Sequence, residues 1–269
     1  MESKKICIVG LGYIGLPTAA VLALSKQFVI GLDTNKDIVN NVNKGKVHII
    51  EPGLLDAVNK AIDSGYLEAS NKPMPAEVFV IAVPTPFKNK NHEPDLSYIK
   101  SAADNISSVL KPGDLIILES TSPVGTSELL RTWLSRKRED LKFCGEGVSN
   151  PDIFIAYCPE RVLPGNTLKE LLNNDRVIGG LCEKSSDLAE SFYKSFIKGN
   201  CFKTNARTAE MTKLTENSFR DVNIALANEL SLICKKLDID VWDLIELANM
   251  HPRVDILKPG AGVGGHCIA

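Results

Sequence analysis

The residues best suited to chemistry stand near the end of the chain, in Pro259-Gly-Ala-Gly-Val-Gly-Gly-His-Cys267. Four glycines among nine residues argue against a helix or a well-packed strand, because each forfeits backbone entropy and side-chain contacts. Such a loop can approach a bound molecule closely, and it carries the Cys267 thiol at its tip. A reactive-looking thiol needs partners, so the question is what the preceding residues bring to it. Three polar residues upstream are candidates. Lys213 and Asn217 stand at i and i+4 of a helical pattern, one turn apart on one face. Glu160 follows a proline directly after an apolar run. Each also has a plainer reading. Glu210, Lys213, Asn217 and Asp221 make a polar stripe that reads as a solvated face, and Glu160 reads as a surface acid or an ion-pair partner of Arg161.

The elements that must position these groups begin at the N-terminus. Lys5–Val9 is a short, β-branched apolar run, the signature of a buried parallel strand. It leads into Gly10-Leu-Gly12-Tyr13-Ile14-Gly15, and a helical pattern runs on through Leu24, with Pro17 in its first turn. A second strand, Phe28–Leu32, ends at Asp33. Strand, glycines, helix, strand and terminal acid occur in the order of a dinucleotide-binding unit, which makes an otherwise weak glycine motif specific. Gly10 permits the tight turn, Gly12 lets a pyrophosphate approach the backbone, and Gly15 lets helix pack on strand. Asp33 accepts from ribose hydroxyls and repels a 2′-phosphate, so NAD is expected rather than NADP. A glycine turn followed by a helix-capping Asp is the plainer alternative.

The alternation continues and predicts an α/β fold with a Rossmann-like, doubly wound parallel sheet. Helical patterns cover Lys36–Asn43 and Gly53–Ser64, a strand Val78–Val83, a helix Leu96–Leu110 and a strand Leu115–Glu119. Two polar loops after strands, Pro84-Thr85-Pro-Phe87 and Ser120-Thr121-Ser-Pro-Val-Gly125, are expected at the ligand edge, where their hydroxyls either contact the cofactor or cap the following helices. Strands at Asp152–Ala156 and Val177–Gly180 and a helix Glu183–Phe196 follow. The region 205–237 holds the longest helical pattern, without interior Gly or Pro, and Val241–Met250 forms a further helix. The expected division is a nucleotide-binding domain over 1–200 and an all-α central segment over 201–269.

Composition narrows the function classes. A net charge of −2 and the lack of any long basic run argue against general nucleic-acid affinity. No apolar run reaches the roughly 20 residues of a membrane helix, and the N-terminus shows no secretory pattern. Seven cysteines without a CxxC pair point to reduced thiols, hence to a cytoplasmic protein, and the four scattered histidines to no metal site. Cys7, Cys182 and Cys234 sit in apolar patterns and read as core filler. His266, beside Cys267, can tune the thiol.

Taken together, GLGYIGLP, ESTSPVGT, CPERVLPGN, EMTKLTEN and GVGGHC resemble the UDP-glucose/GDP-mannose dehydrogenase family, in order along the whole chain. The wording of PERVLPGN and HPRVDILKPGAGVGGHC is most similar to members acting on UDP-N-acetyl-D-mannosamine, with UDP-N-acetylglucosamine or UDP-glucose as alternatives. The resemblance implies oxidation of a sugar C6 alcohol to a carboxylate with two NAD+, as in polysaccharide precursor synthesis. It implies Cys267 as the nucleophile that carries a thiohemiacetal and then a thioester. Lys213 and Asn217 are implied to hold the oxyanion, Glu160 to assist hydrolysis as a base, and Thr121 to position cofactor and water. Cofactor contacts are implied for Gly10, Gly12, Tyr13, Ile14, Gly15, Asp33, Pro84, Thr85, Thr121 and Glu160. Substrate contacts are implied for Glu160, Arg161, Val162, Lys213, Asn217, Arg253, Gly260 and Cys267. A homodimer through the long helix 205–237 is also implied.

The family pattern continues past the last residue given, with an aspartate four positions after the cysteine and a UDP-binding domain. A chain of this extent is therefore expected to bind NAD and to be impaired as a dehydrogenase. Two other readings stay open: a two-electron β-hydroxyacid dehydrogenase, which has no need of Cys267 or Glu160, and a non-catalytic NAD-binding module.

Overall fold

The computed structural model describes residues 4–88 and 93–261. The chain divides into two compact units, Met1–Met211 and Thr212–Ala269.

The first unit is built on one eight-stranded sheet: β1 (Lys5–Val9), β2 (Phe28–Leu32), β3 (Leu67–Ser70), β4 (Val78–Ile81), β5 (Leu115–Leu118), β6 (Phe154–Tyr157), β7 (Arg176–Gly180) and β8 (Cys201–Asn205). Their spatial order is β3-β2-β1-β4-β5-β6-β7-β8, and every neighbouring pair is parallel except β6 and β7. The chain moves outward from β1 through β2 to β3, then returns to the other side of β1 as β4. That reversal makes the switch point at which loops splay apart and a ligand fits.

The apolar runs of the strands are continuous because both faces of the sheet are covered. Ile6 and Ile8 of β1 pack in one core with α1 (Gly15–Leu24), α2 (Lys36–Asn43), α3 (Leu54–Asp63), α6 (Thr167–Asn173) and α7 (Glu183–Lys194). Cys7 and Val9 point the other way, into a core with α4 (Ser97–Ser107) and α5 (Thr126–Lys137). β4 and β5 repeat the alternation, with Val80 and Ile117 on one side and Phe79 and Ile116 on the other.

The elements read from the sequence agree with those observed to within a few residues at their ends. β3, β8 and α6 were not expected. Cys182 is half-buried, packs against the core and hydrogen-bonds Ser185 through its sulfur at 3.2 Å.

A long helix, α8 (Ala206–Leu237), begins in the first unit, where Ala209 joins the core and Glu210 is buried. In the second unit α8 is followed by α9 (Val241–Asn249), which Asp240 caps by accepting from the Trp242 N–H. The segment after α9 is tied down by asparagines. Asn249 exchanges two bonds with the Ile256 backbone, Asn223 accepts from the Leu257 N–H and donates to the Asp255 carbonyl, and Asn228 accepts from the Gly260 N–H at 2.9 Å. Among the described residues no helix is long and apolar enough to cross a membrane, and no group of three or more His, Cys, Asp or Glu is arranged to hold a metal ion.

Candidate cofactor and active site

The turn after β1 answers what each of its glycines is for. Gly10 has φ +96°, and a Cβ on it would lie 2.7 Å from the Ala82 carbonyl oxygen. A Cβ on Gly15 would lie 1.8 Å from the Gly10 carbonyl oxygen. Both glycines are therefore demanded by the protein's own packing. Gly12 differs: its φ is ordinary, and a Cβ there meets no atom of the described residues within 4 Å. Its lack of a side chain leaves open space immediately before α1.

The N-terminus of α1 has no side-chain cap and no acid in its first turn. At two other helix starts in the first unit the end is occupied: Asn35 caps α2, and the Glu210 carboxylate accepts from the N–H groups of Gly125 and Ser127 at the start of α5. The positive end of α1 is thus left for an anion from outside. Asp33, at the end of β2, is fixed by two backbone donors, the Leu11 N–H to Oδ2 at 2.9 Å and the Asn35 N–H to Oδ1 at 2.8 Å. One carboxylate thereby joins the glycine turn to the end of the neighbouring strand. Tyr13 is exposed, and Ile14 is half-buried at the helix N-cap.

The loops after β4 and β5 meet. Thr85 donates its hydroxyl to the Thr121 carbonyl at 2.7 Å, and Ser120 Oγ bonds both the N–H and the carbonyl of Val83. Neither Thr85 nor Thr121 caps a helix, since the N-cap positions of α4 and α5 are Leu96 and Gly125. Pro84 is exposed beside them.

Glu160 is not a surface acid: it is buried and forms an ion pair with Arg176. The reason is topological. β7 runs antiparallel to β6, with Tyr157 opposite Gly179. Three residues beyond Tyr157 stands Glu160, and three residues before Gly179 stands Arg176, so the pair closes the same ladder. Glu160 Oε1 also accepts from the Arg161 N–H at 2.7 Å, while the Arg161 guanidinium donates to the Asp175 carbonyl. Val162 packs at the edge of the core. Next to this pair, at the end of β5, lies Glu119, which accepts from the Tyr193 hydroxyl at 2.8 Å. Burial, and then the charge of Glu160, push the Glu119 carboxyl up to about 7, against the pull of Arg176 and Tyr193. Burial works against the charge of Arg176, but Glu160 first, and Cys158, Tyr193 and Glu119 with it, together offset it and hold the guanidinium ionised. Sequence reading missed Glu119, Arg176 and Tyr193. The signal for Glu119 was its place in the same post-strand loop as Thr121.

In the second unit, Lys213 is 8% exposed and Asn217 is half-buried, so the stripe to which they belong is not a solvated face. Asn217 Oδ1 accepts from Arg220 at 3.0 Å. Arg253 is exposed, with its N–H 3.3 Å from His251 Nδ1. Gly260 is exposed, with open space where a Cβ would stand. Cys267 and His266 lie outside the described residues.

A sequence profile of the UDP-glucose/GDP-mannose dehydrogenase family, NAD binding domain, matches residues 4–197, and one of the family's central domain matches residues 207–269. A UDP-N-acetyl-D-mannosamine dehydrogenase of Campylobacter jejuni is 62% identical over 271 residues, which cover all of this chain and 66% of that protein. An NDP-N-acetyl-D-galactosaminuronic acid dehydrogenase of Ralstonia nicotianae is 57% identical, over all of this chain and 63% of its own. Among solved structures, the UDP-D-ManNAc dehydrogenase of Pyrococcus horikoshii matches with a TM-score of 0.91 and 44% identity, over 98% of this chain and 62% of that one. The chain thus spans 62–66% of the length of these relatives. With both domain profiles matched in order on a Rossmann-like sheet, the chain belongs to the UDP-glucose/GDP-mannose dehydrogenase family.

Proposed function

We propose that this chain is the NAD-binding and central part of an NAD-dependent UDP-sugar 6-dehydrogenase. Its substrate is UDP-N-acetyl-D-mannosamine, which it oxidises at C6 to the uronate. The observation that carries the cofactor reading is Gly12, a glycine that the protein's own packing does not require, set before an uncapped helix end. The N-terminus of α1 then holds the pyrophosphate, with Gly10 to Gly15 around it, and Asp33 accepts from the adenosine ribose. That carboxylate opposes a 2′-phosphate, which favours NAD. Bound there, NAD accepts hydride.

The chain's own groups carry the remaining work. The Cys267 thiolate adds to the C6 aldehyde and holds the sugar as a thioester after the second oxidation. Lys213 and Asn217 donate to the oxyanion at C6. Glu160 takes a proton from the water that releases the carboxylate, and Thr121 positions water and cofactor beside the reacting carbon. Arg161, Val162, Arg253 and Gly260 line the sugar nucleotide. The proposed division is 1–200 for cofactor and 201–269 for substrate and self-association, in a reducing cytoplasm. Exposed Phe219, Val222, Leu226, Ile233 and Leu237 recur along α8 and support a homodimer through this helix.

The test has two arms. The chain alone should bind NAD in a calorimetric titration, and NADP much more weakly. Extended to the full length of its relatives, it should form two NADH per UDP-N-acetyl-D-mannosamine, more slowly with UDP-N-acetylglucosamine and UDP-glucose. One NADH per sugar, or net oxidation that survives Cys267→Ser, would favour the two-electron alternative instead.

A further inference from the structure

Behind Glu160 lies a set of buried groups that the proposed reaction does not use. Arg176 Nη1 bonds Glu160 Oε2, and its Nη2 donates to the Leu171 carbonyl at 3.0 Å. The guanidinium carbon lies 5.2 Å from the centroid of the Tyr193 ring, and the hydroxyl of that same tyrosine holds Glu119. Tyr193 therefore ties both Arg176 and Glu119 to one side chain. Among the described residues, two atoms of the set, Arg176 Nε and Glu119 Oε2, have no hydrogen-bond partner. One is a donor and the other an acceptor. Leaving both unpaired in a dry site is unfavourable, and any approach of Glu119 to Arg176 would relieve it.

Charge leads to the same conclusion. Two carboxylates and one guanidinium are buried together, and a proton on Glu119 relieves the repulsion between the two carboxylates. The titratable and charged groups around Glu119 are Glu160 and Cys158 after β6, Arg176 of β7 and Tyr193 of α7. Burial pushes the Cys158 thiol up to about 12 and the Tyr193 phenol well above its usual range. Arg176 keeps its charge, so neither Cys158, Tyr193 nor Arg176 changes protonation near neutral pH.

We propose that Arg176 is the positioning residue of Glu160, and that Glu119 competes with Glu160 for this one guanidinium, so the two carboxylates act as a coupled pair. With its proton, Glu119 leaves Arg176 to Glu160 and the hydrolytic carboxylate is held in one place. Without it, Glu119 draws on Arg176 and the hold on Glu160 loosens. The consequence for hydrolysis rests on the reading of Glu160 as the base; the coupling does not.

The coupling can be read without turnover, by carbon NMR of the chain labelled at the glutamate carboxyl carbon. One glutamate should titrate near pH 7, be missing in Glu119→Gln, and titrate higher in Tyr193→Phe, which removes the hydroxyl and keeps the ring. The Glu160 resonance, assigned by its loss in Glu160→Gln, should show a step at the pH where Glu119 ionises, and that step should vanish in Glu119→Gln. A Glu160 signal that ignores the Glu119 titration overturns the proposal, as does a chain in which every glutamate titrates in the ordinary carboxylate range. All three variants are near-isosteric, and Tyr193→Phe keeps the test alive if Glu119→Gln fails to fold. A protein that shows the step yet yields no uronate when extended to full length would overturn the proposed function and leave the coupling standing.

Discussion

At the scale of single residues, Gly12 and Gly15 make opposite predictions although they belong to one motif. A methyl on Gly15 would overlap the Gly10 carbonyl oxygen at 1.8 Å, a backbone atom that cannot rotate away. Gly15→Ala should destabilise the chain by more than about 3 kcal/mol or prevent its folding. Gly12→Ala places its methyl in open space and should leave urea unfolding within roughly 1 kcal/mol of wild type. NAD affinity should nevertheless fall by about tenfold or more, because the methyl stands where the pyrophosphate must approach the backbone. Equal stability losses for the two variants, or unchanged NAD affinity in Gly12→Ala, would refute this division of labour. The motif was legible in the sequence because all its parts lie within one βαβ unit. The pairing of Glu160 with Arg176 was not. Reading along the chain offers Arg161, its neighbour, whereas Arg176 is delivered by an antiparallel strand.

At the scale of elements, a buried carboxylate anchors the start of α8 to α5. Glu210 accepts from the Gly125 N–H at 2.6 Å, the Ser127 N–H at 2.8 Å and the Ser127 hydroxyl at 2.7 Å, and it is fully buried. Two of these donors belong to the N-terminus of α5, where a negative charge is favoured. Glu210→Gln keeps the shape but removes the charge and turns one acceptor into a donor facing N–H groups. It should cost about 2–4 kcal/mol in urea unfolding. By contrast, Arg207→Ala breaks an exposed ion pair with Glu128 and should cost less than about 1 kcal/mol. Further along α8, Val222 is 68% exposed, so Val222→Glu should leave folding intact while raising the monomer fraction in sedimentation if the helix pairs with a second copy. Two of the elements that escaped the sequence lie at the edges of the sheet. β3 and β8 are the two edge strands, and β8 (Cys-Phe-Lys-Thr-Asn) has no fully buried residue. α6 spans seven residues, too short for a period to declare itself.

At the scale of the whole molecule, the buried acids determine how stability responds to pH. Glu119 is pushed up to about 7 and Asp114 to about 6, each chiefly by burial. In both cases the folded form binds its proton more tightly than the unfolded form. Their contribution is therefore complete below the unfolded values near 4, and it is lost as pH rises through about 6 and then about 7. Glu128 and Glu190 behave oppositely. Bonds to Arg207, and to Lys194 and Lys203, hold these carboxyls below their usual range, so their contribution is lost only as pH falls below about 4. Stability should peak near pH 5 and decline toward pH 8. Glu119 accounts for on the order of 2 kcal/mol of that decline, a few degrees in unfolding midpoint for a chain of this size. Calorimetric scans between pH 5 and 8 at constant ionic strength should show the decline in wild type. Glu119→Gln should retain only the smaller step near pH 6 that belongs to Asp114. Parallel curves for the two proteins would mean that Glu119 is ionised throughout the range. The buried Glu119 carboxylate would then be charged beside Glu160, which burial and that neighbouring charge both oppose.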